Sequence, residues 1–301
     1  MDDLPVIVIG AGPTGLAAAA HLRGRGLTPL VLEAGSRAGA AVRQWSHVRL
    51  FSPWSELVDP AAEEMLAETG WHRPNGASYP TGQDWAELYL QPLADALGDL
   101  VRYDSRVTGV AKRGRDLVVD SGREAEPFTV HVTTPAGNER VLARAVVDAS
   151  GTWGTPSPLG GDGLPASGEI TALAQISYRV PDLQDPAVRA RYAGRHVAVA
   201  GTGASAQTVL VALGDLAEQV PGTTVTWLVR RGSTGDAFGA GENDQLVARG
   251  AGPTRPVGRR GRTRPHRYRS VPPRSPPTAT ARCDSSPWTA RASTRWTRSS
   301  S

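Results

Sequence analysis

One pattern occurs twice in this chain and limits what the chain can fold into. From Val6 the sequence reads VIVIGAGPTGLAAAAHL, and from Val197 it reads VAVAGTGASAQTVLVAL. Each copy is a short unbroken apolar run, then glycines spaced G-x-G-x-x-G or G-x-G-x-x-A, then a longer Ala/Leu/Val-rich stretch. An apolar run without alternation reads as a parallel strand covered on both faces. Strand, glycine turn and helix form the opening half of a βαβ unit. The expected fold is therefore α/β, with two such units in one chain.

In the first copy each glycine has a separate physical task. Gly10 permits the tight turn, Gly12 lets a pyrophosphate approach the backbone, and Gly15 lets the helix pack closely on the strand. The helix N-terminus then offers unsatisfied N–H groups and a partial positive charge to an anion. Gly24 and Gly26 end the helix, and Pro29 to Leu32 supply a second strand leading to Glu33. A carboxylate about 20 residues beyond the glycines is placed to accept hydrogen bonds from ribose hydroxyls. Strand, glycines, helix, strand and acid in that order point to an adenine dinucleotide rather than to a bare structural unit.

The second copy, built on Gly201 and Gly203, has Ala206 in place of the third glycine. Its next strand, TVTWLVRR, ends in Arg230 and Arg231 where the first copy has its acid. Guanidinium groups there suit the 2′-phosphate of NADPH, which an acid would repel. The alternative is that the two arginines only solvate a strand end.

Composition excludes several classes. Cys283 is the single cysteine, so there is no disulfide framework and no C-x-x-C pair. The histidines are scattered without metal-ligand spacing. No stretch resembles a signal peptide or a membrane span, which gives a cytoplasmic expectation. The net charge of +4 hides an asymmetry, because residues 252–301 carry twelve arginines and one acid, Asp284, while the rest of the chain is net acidic. That stretch has almost no aliphatic residues and is expected to be an irregular tail that buries no core.

Two readings of the tail are open. One is a basic arm for nucleic acid or an acidic surface. The other is a shifted reading frame beginning near Gly250 to Thr254. Read from the third base of each codon, Trp-Thr always gives Leu, Val or Met followed by Asp, and both Trp288-Thr289 and Trp296-Thr297 fit an alternating β-rich segment so decoded. On the second reading the basic balance is an artefact and nucleic acid is not a partner.

Between the fingerprints, RQWSHVRLFSPW follows the first ribose-binding strand. Arg43, Trp45, His47, Arg49 and Trp54 are candidates to pack on a flavin ring or to place charge at its edge, with plain core packing as the alternative. An amphipathic helix is expected from Gly82 to Leu97, burying Trp85, Leu88, Tyr89, Leu93, Ala96 and Leu97. Strands are expected at Leu100–Tyr103, Arg106–Ala111, Leu117–Val119, Phe128–Val132 and Arg140–Ala149. Turns at Gly122 and Gly137 suggest an antiparallel meander over the parallel sheet. The Ser150-Gly151 turn would bring amides near the dinucleotide, and the Pro/Gly-rich residues 156–168 suit an interdomain crossover.

Residues 5 to 250 resemble the flavoproteins with two dinucleotide-binding domains, most closely the flavin-containing monooxygenase-like branch. The resemblance is carried by GxGPxGL at Gly10 to Leu16, with Pro13 inside it, by Glu33, by Ala149-Ser150-Gly151 and by GxGxSA at Gly201 to Ala206. It implies a Rossmann-like FAD-binding domain at 1–155 and a partial Rossmann-like NAD(P)-binding domain at 156–251. It also implies Ser205 beside Arg230 and Arg231 at NADPH, whose hydride reduces FAD, and a reduced flavin that activates dioxygen to oxygenate a small organic substrate. This sequence departs from the family at F-x-G-x-x-x-H-x-x-x-[FYW], where Tyr178 is present but Ala174 replaces the histidine. It also lacks the paired cysteines of the disulfide reductases and has few residues after the strand that leads to Arg231. A non-catalytic fragment of such a flavoprotein is the competing expectation.

Overall fold

The computed structural model describes residues 3–229. Strand β1 (Val6–Ile9) leads into helix α1 (Pro13–Gly24) and returns in β2 (Pro29–Leu32). The helices α2 (Ala40–Arg43), α3 (Trp54–Leu57), α4 (Pro60–Ala67), α5 (Gly82–Trp85) and α6 (Gln91–Leu97) separate β2 from the short strand β3 (Val101–Arg102). The meander β4 (Arg106–Lys112), β5 (Phe128–Thr134) and β6 (Gly137–Ala143) follows, and β7 (Ala145–Asp148) closes this part. After α7 (Pro186–Ala190), the second unit is β8 (His196–Ala200), α8 (Ala204–Gln219) and β9 (Thr224–Leu228).

The first sheet is parallel throughout, in the order β3-β2-β1-β7. Its unbroken apolar strands are explained by cover on both faces. Val8 and Val31 are register partners and face a helical layer with Leu16, Ala19, Leu66, Leu90 and Leu93, whereas Ile7 and Leu32 face Val130, Val132 and Ala143 of the meander. Successive side chains on a strand point to opposite faces, so four consecutive apolar residues feed two cores. Each buried aliphatic side chain of this size contributes about 1.5–3 kcal/mol. The second unit has its own core of Leu183, Val199, Leu213 and Leu216.

The expected helix at Gly82–Leu97 forms, interrupted by a π turn at Ala86–Leu90. Pro92 has no N–H to give the carbonyl of Leu88, and the indole of Trp71 takes that place at 2.7 Å. The buried stripe is Ala86, Tyr89, Leu90, Leu93, Ala94 and Leu97, while Leu88 faces out. A Thr81–Asp84 capping box starts the helix.

Two expectations about strands need amending. Arg140–Ala149 is two strands. β6 stays in the meander, and past Arg144, whose amide donates to Pro5, β7 joins the parallel sheet. Leu117–Val119 forms no strand, because these residues stand in an exposed turn with nothing to pair against. α4 was not foreseen, although Asp59 caps it by accepting from the amides of Ala61 and Ala62 and Pro60 begins it.

Candidate functional site

The first site gathers at the C-terminal ends of β1, β2 and β7. The amide of Gly10 donates to Leu32 and that of Ala149 donates to Ile9, which ties the three strand ends together. Gly10 has φ +98°, a backbone state that L side chains rarely adopt, and a Cβ there would lie 2.8 Å from the carbonyl oxygen of Ala149. A Cβ on Gly15 would overlap the carbonyl oxygen of Gly10. The protein's own packing therefore demands the first and third glycines.

The middle glycine differs. Gly12 has ordinary extended geometry, φ −82° and ψ −177°, and a Cβ built there meets nothing within 4 Å. No neighbour in the fold requires a glycine at that position. Gly12 is also the N-cap of α1, with no side-chain cap and no acid in the first turn, and Pro13 occupies the first helical position. The turn thus presents open space and a helix N-terminus with no acid in the first helical turn, which is the chemistry of a phosphate cradle.

Glu33 stands at the end of β2 and is buried. One carboxylate oxygen accepts from Ala11 N–H at 2.7 Å and the other from Gly35 N–H at 2.7 Å. The acid is thereby fixed against the glycine turn. An ionised carboxylate has about four lone-pair sites, so each oxygen keeps capacity for a ribose hydroxyl.

Arg43 lies in a strut rather than on an open surface. Its Nε donates to Ala38 at 2.9 Å, and its guanidinium pairs with Glu87 and reaches Gln91. Glu87 also pairs with Arg37, and its carboxyl is held below the usual range, first by the hydrogen bond from Arg43. Trp45 packs against the helical core, tilted against Trp85 at 6.4 Å, with Gly82 seated on its ring. Trp54 is buried, His47 reaches the carbonyl of Val180 at 3.2 Å, and Arg49 donates to Tyr79. Of the aromatic segment, Arg43, Trp45 and Trp54 hold the helical layer together.

Beyond β7, the amide and hydroxyl of Ser150 both donate to Asp148, at 3.0 and 2.6 Å, and these bonds keep the Asp148 carboxyl below its ordinary value. Gly151 follows at φ +68°. Glu169, which the sequence did not single out, accepts from the amides of Leu159 and Ala166 and from the hydroxyl of Tyr178. It gathers the Pro/Gly-rich crossover around one carboxylate. Tyr178 is thus bound within that crossover, and its phenol is pushed up by the adjacent Glu169 carboxylate.

The second site repeats the first in backbone. Gly201 has φ +108° and its amide donates to Leu228 at 3.1 Å, as Gly10 does to Leu32 at 2.8 Å. Gly203 caps α8 without a side-chain partner or an acid in the first turn, and Ser205 is exposed in that turn. The register Ala200↔Leu228 matches Ile9↔Leu32, so Val229 occupies the position of Glu33. Arg230 and Arg231 come directly after it and lie outside the described residues. Among the described residues no helix is long and apolar enough to cross a membrane, and no group of three His, Cys, Asp or Glu could hold a metal ion.

Two successive glycine-turn βαβ units, each opening an uncapped helix at its turn, define a protein of the two-dinucleotide-fold class. The chain belongs to the pyridine nucleotide-disulphide oxidoreductase family, whose model matches residues 7–236. Among solved structures it is similar to a flavin-containing monooxygenase from Stenotrophomonas maltophilia, at 27% identity and TM-score 0.50, covering 77% of this chain and 60% of that one. A FAD-bound cadaverine monooxygenase of the desferrioxamine biosynthetic pathway from Erwinia amylovora shares the fold at 19% identity and TM-score 0.51, over 75% of this chain and 51% of that one. A curated relative, lysine-specific histone demethylase 1 homolog 3 of Arabidopsis thaliana, is 57% identical over 42 residues, 14% of this chain and 3% of that protein. The chain thus spans about 60% of the length of the monooxygenase it resembles.

Proposed function

We propose that this chain is an FAD-dependent, NADPH-using oxidoreductase of the flavin monooxygenase type, acting on a small organic substrate. FAD would sit on residues 1–155, with its pyrophosphate at Gly10, Gly12, Pro13 and Gly15, its ribose at Glu33 and the Ser150-Gly151 turn alongside. Residues 156–251 would hold NADPH through Gly201, Gly203, Ser205, Arg230 and Arg231. Gly12 carries this reading, because it caps the helix N-terminus beside Glu33 and the fold leaves room there for a phosphate to approach the backbone.

The monooxygenase likeness supports the choice of chemistry, and the single cysteine, Cys283, leaves no dithiol in the chain for disulfide reduction. A bound flavin supplies the redox chemistry. The residues named here bind and orient: Glu33 fixes the ribose against the turn, and α1 directs its amides at the phosphates. Arg43 and Trp45, candidates for the flavin in the sequence, would act through the helical layer behind it.

Anaerobic mixing of the purified full chain with NADPH tests the reading. Bleaching of the visible flavin absorption, recovery on adding dioxygen and a slower response to NADH are expected. A flavin-loaded chain that neither nicotinamide nucleotide reduces would refute it.

A further inference from the structure

The two glycine turns share a backbone but are held by different means. At the first, the amide of Ala11 donates to Glu33 and its carbonyl accepts from Gly39 N–H at 2.9 Å. At the second, the residue in the place of Glu33 is Val229, which has no side-chain oxygen to accept the corresponding amide of Thr202. Two side-chain donors act on the carbonyls instead. The indole Nε1 of Trp227 donates to the carbonyl of Gly201 at 2.7 Å, and Gln207 Nε2 donates to the carbonyl of Thr202 at 3.3 Å.

The need for the first of these donors follows from Ala206. In the first copy a Cβ at the third glycine would overlap the carbonyl oxygen of Gly10. The second copy has that Cβ, so the Gly201 carbonyl cannot take the same position and has to turn elsewhere. Trp227 lies on β9 opposite Val199, one pair before the strand ends, where its indole can receive that carbonyl. A trans peptide points its C=O and N–H in opposite directions. Holding the Gly201 carbonyl on the Trp227 side therefore aims the Thr202 amide away from it, and Gln207 does the same for the next peptide.

We infer that Trp227, with Gln207, is the positioning residue of the second phosphate turn: it orients the Thr202 and Gly203 amides toward the pyrophosphate of NADPH, replacing the carboxylate tether of the first site. This rests on the NADPH reading given above. Trp227 would act through the backbone and not by touching the nicotinamide.

The test is Trp227→Phe in the full chain loaded with FAD, which keeps the ring and removes the N–H. Hydrogen–deuterium exchange at the Gly201 amide, which donates to Leu228, is expected to speed up while β8 and the body of α8 stay protected. The NADPH dissociation constant is expected to rise about three- to tenfold, the size of one lost hydrogen bond, with FAD content unchanged. Adding Ala206→Gly lets the turn close as it does at Gly10 and is expected to restore most of the protection. Wild-type exchange and affinity in the Phe variant would overturn the inference, as would loosening spread over the whole second unit, which marks plain packing. No recovery with Ala206→Gly overturns the link to that residue. A wild-type chain that holds FAD but shows no NADPH affinity overturns the NADPH reading and this ligand with it, and exchange at Gly201 then decides whether the tether itself exists.

Discussion

Replacing each glycine of the first turn by alanine separates what the fold needs from what the ligand needs. At Gly12 the backbone angles suit any L residue and the new methyl meets nothing within 4 Å. Losing glycine at an N-cap costs up to about 1 kcal/mol, and the smaller entropy of the unfolded chain returns about 0.4–1 kcal/mol. Apoprotein stability should therefore change by less than about 1 kcal/mol. The same methyl would stand where a phosphate has to approach. Losing two amide–phosphate hydrogen bonds at about 1.5–3 kcal/mol each would weaken FAD binding by roughly 10² to 10⁴-fold.

Gly10→Ala and Gly15→Ala should behave in the opposite way. The first forces alanine to φ +98° and toward the Ala149 carbonyl, at about 1–2 kcal/mol for the backbone alone. The second inserts a methyl against Gly10, an overpacking cost of about 1–3 kcal/mol. Urea unfolding of the apoproteins and fluorescence titration with FAD measure both quantities. Wild-type FAD affinity in Gly12→Ala, or a loss of stability as large as that of Gly15→Ala, would refute the assignment.

Glu33→Gln should lower FAD affinity and destabilise the fold by about 1–3 kcal/mol, because an NH2 group would then face an amide of Ala11 or Gly35 that needs an acceptor; denaturant titration and FAD titration check both. The Asp84 carboxyl is held below its ordinary range by the hydrogen bonds from the amide and hydroxyl of Thr81. Its folded pKa lies below the unfolded value of about 3.9, so its stabilisation is complete above that value and is lost as pH falls through the folded one. Thermal melts should show Asp84→Ala about 1 kcal/mol less stable at pH 7, the size of a hydrogen bond lost from Thr81, and converging with wild type in acid. Replacing Arg230 and Arg231 together by alanine should raise KM for NADPH more than for NADH in steady-state assays.

The local geometry of the first glycine turn was legible in the sequence because backbone demands select its residues. Gly10 and Gly15 answer to atoms that any such turn brings close, and Glu33 ends a strand whose apolar run is unmistakable. The meander was legible from its turns. The division at Arg144 was not, because the apolar runs Val141–Ala143 and Ala145–Val147 are separated by that one residue although β6 and β7 belong to different sheets. Leu117–Val119 has strand-like composition but lacks a partner strand, which no local pattern records.

The aromatic segment stays open to two readings in the sequence for a related reason. What fixes Arg43 is Glu87, 44 residues away on the helical layer. Glu169 was overlooked because its partners are backbone amides of a loop with no periodicity. Trp227 read as a strand residue until the register placed it over the second turn. The signals for α4, the capping Asp59 and Pro60 at the first helical position, are present in the sequence.

The most direct test of the central claim is to release and identify the cofactor of the purified full chain. After acid or heat treatment, chromatography with mass detection should find FAD equimolar with protein, and the Gly12→Ala variant should be folded and colourless. A folded wild-type chain that carries no flavin and takes up none from added FAD would contradict the claim that the open space above Gly12 is a dinucleotide site.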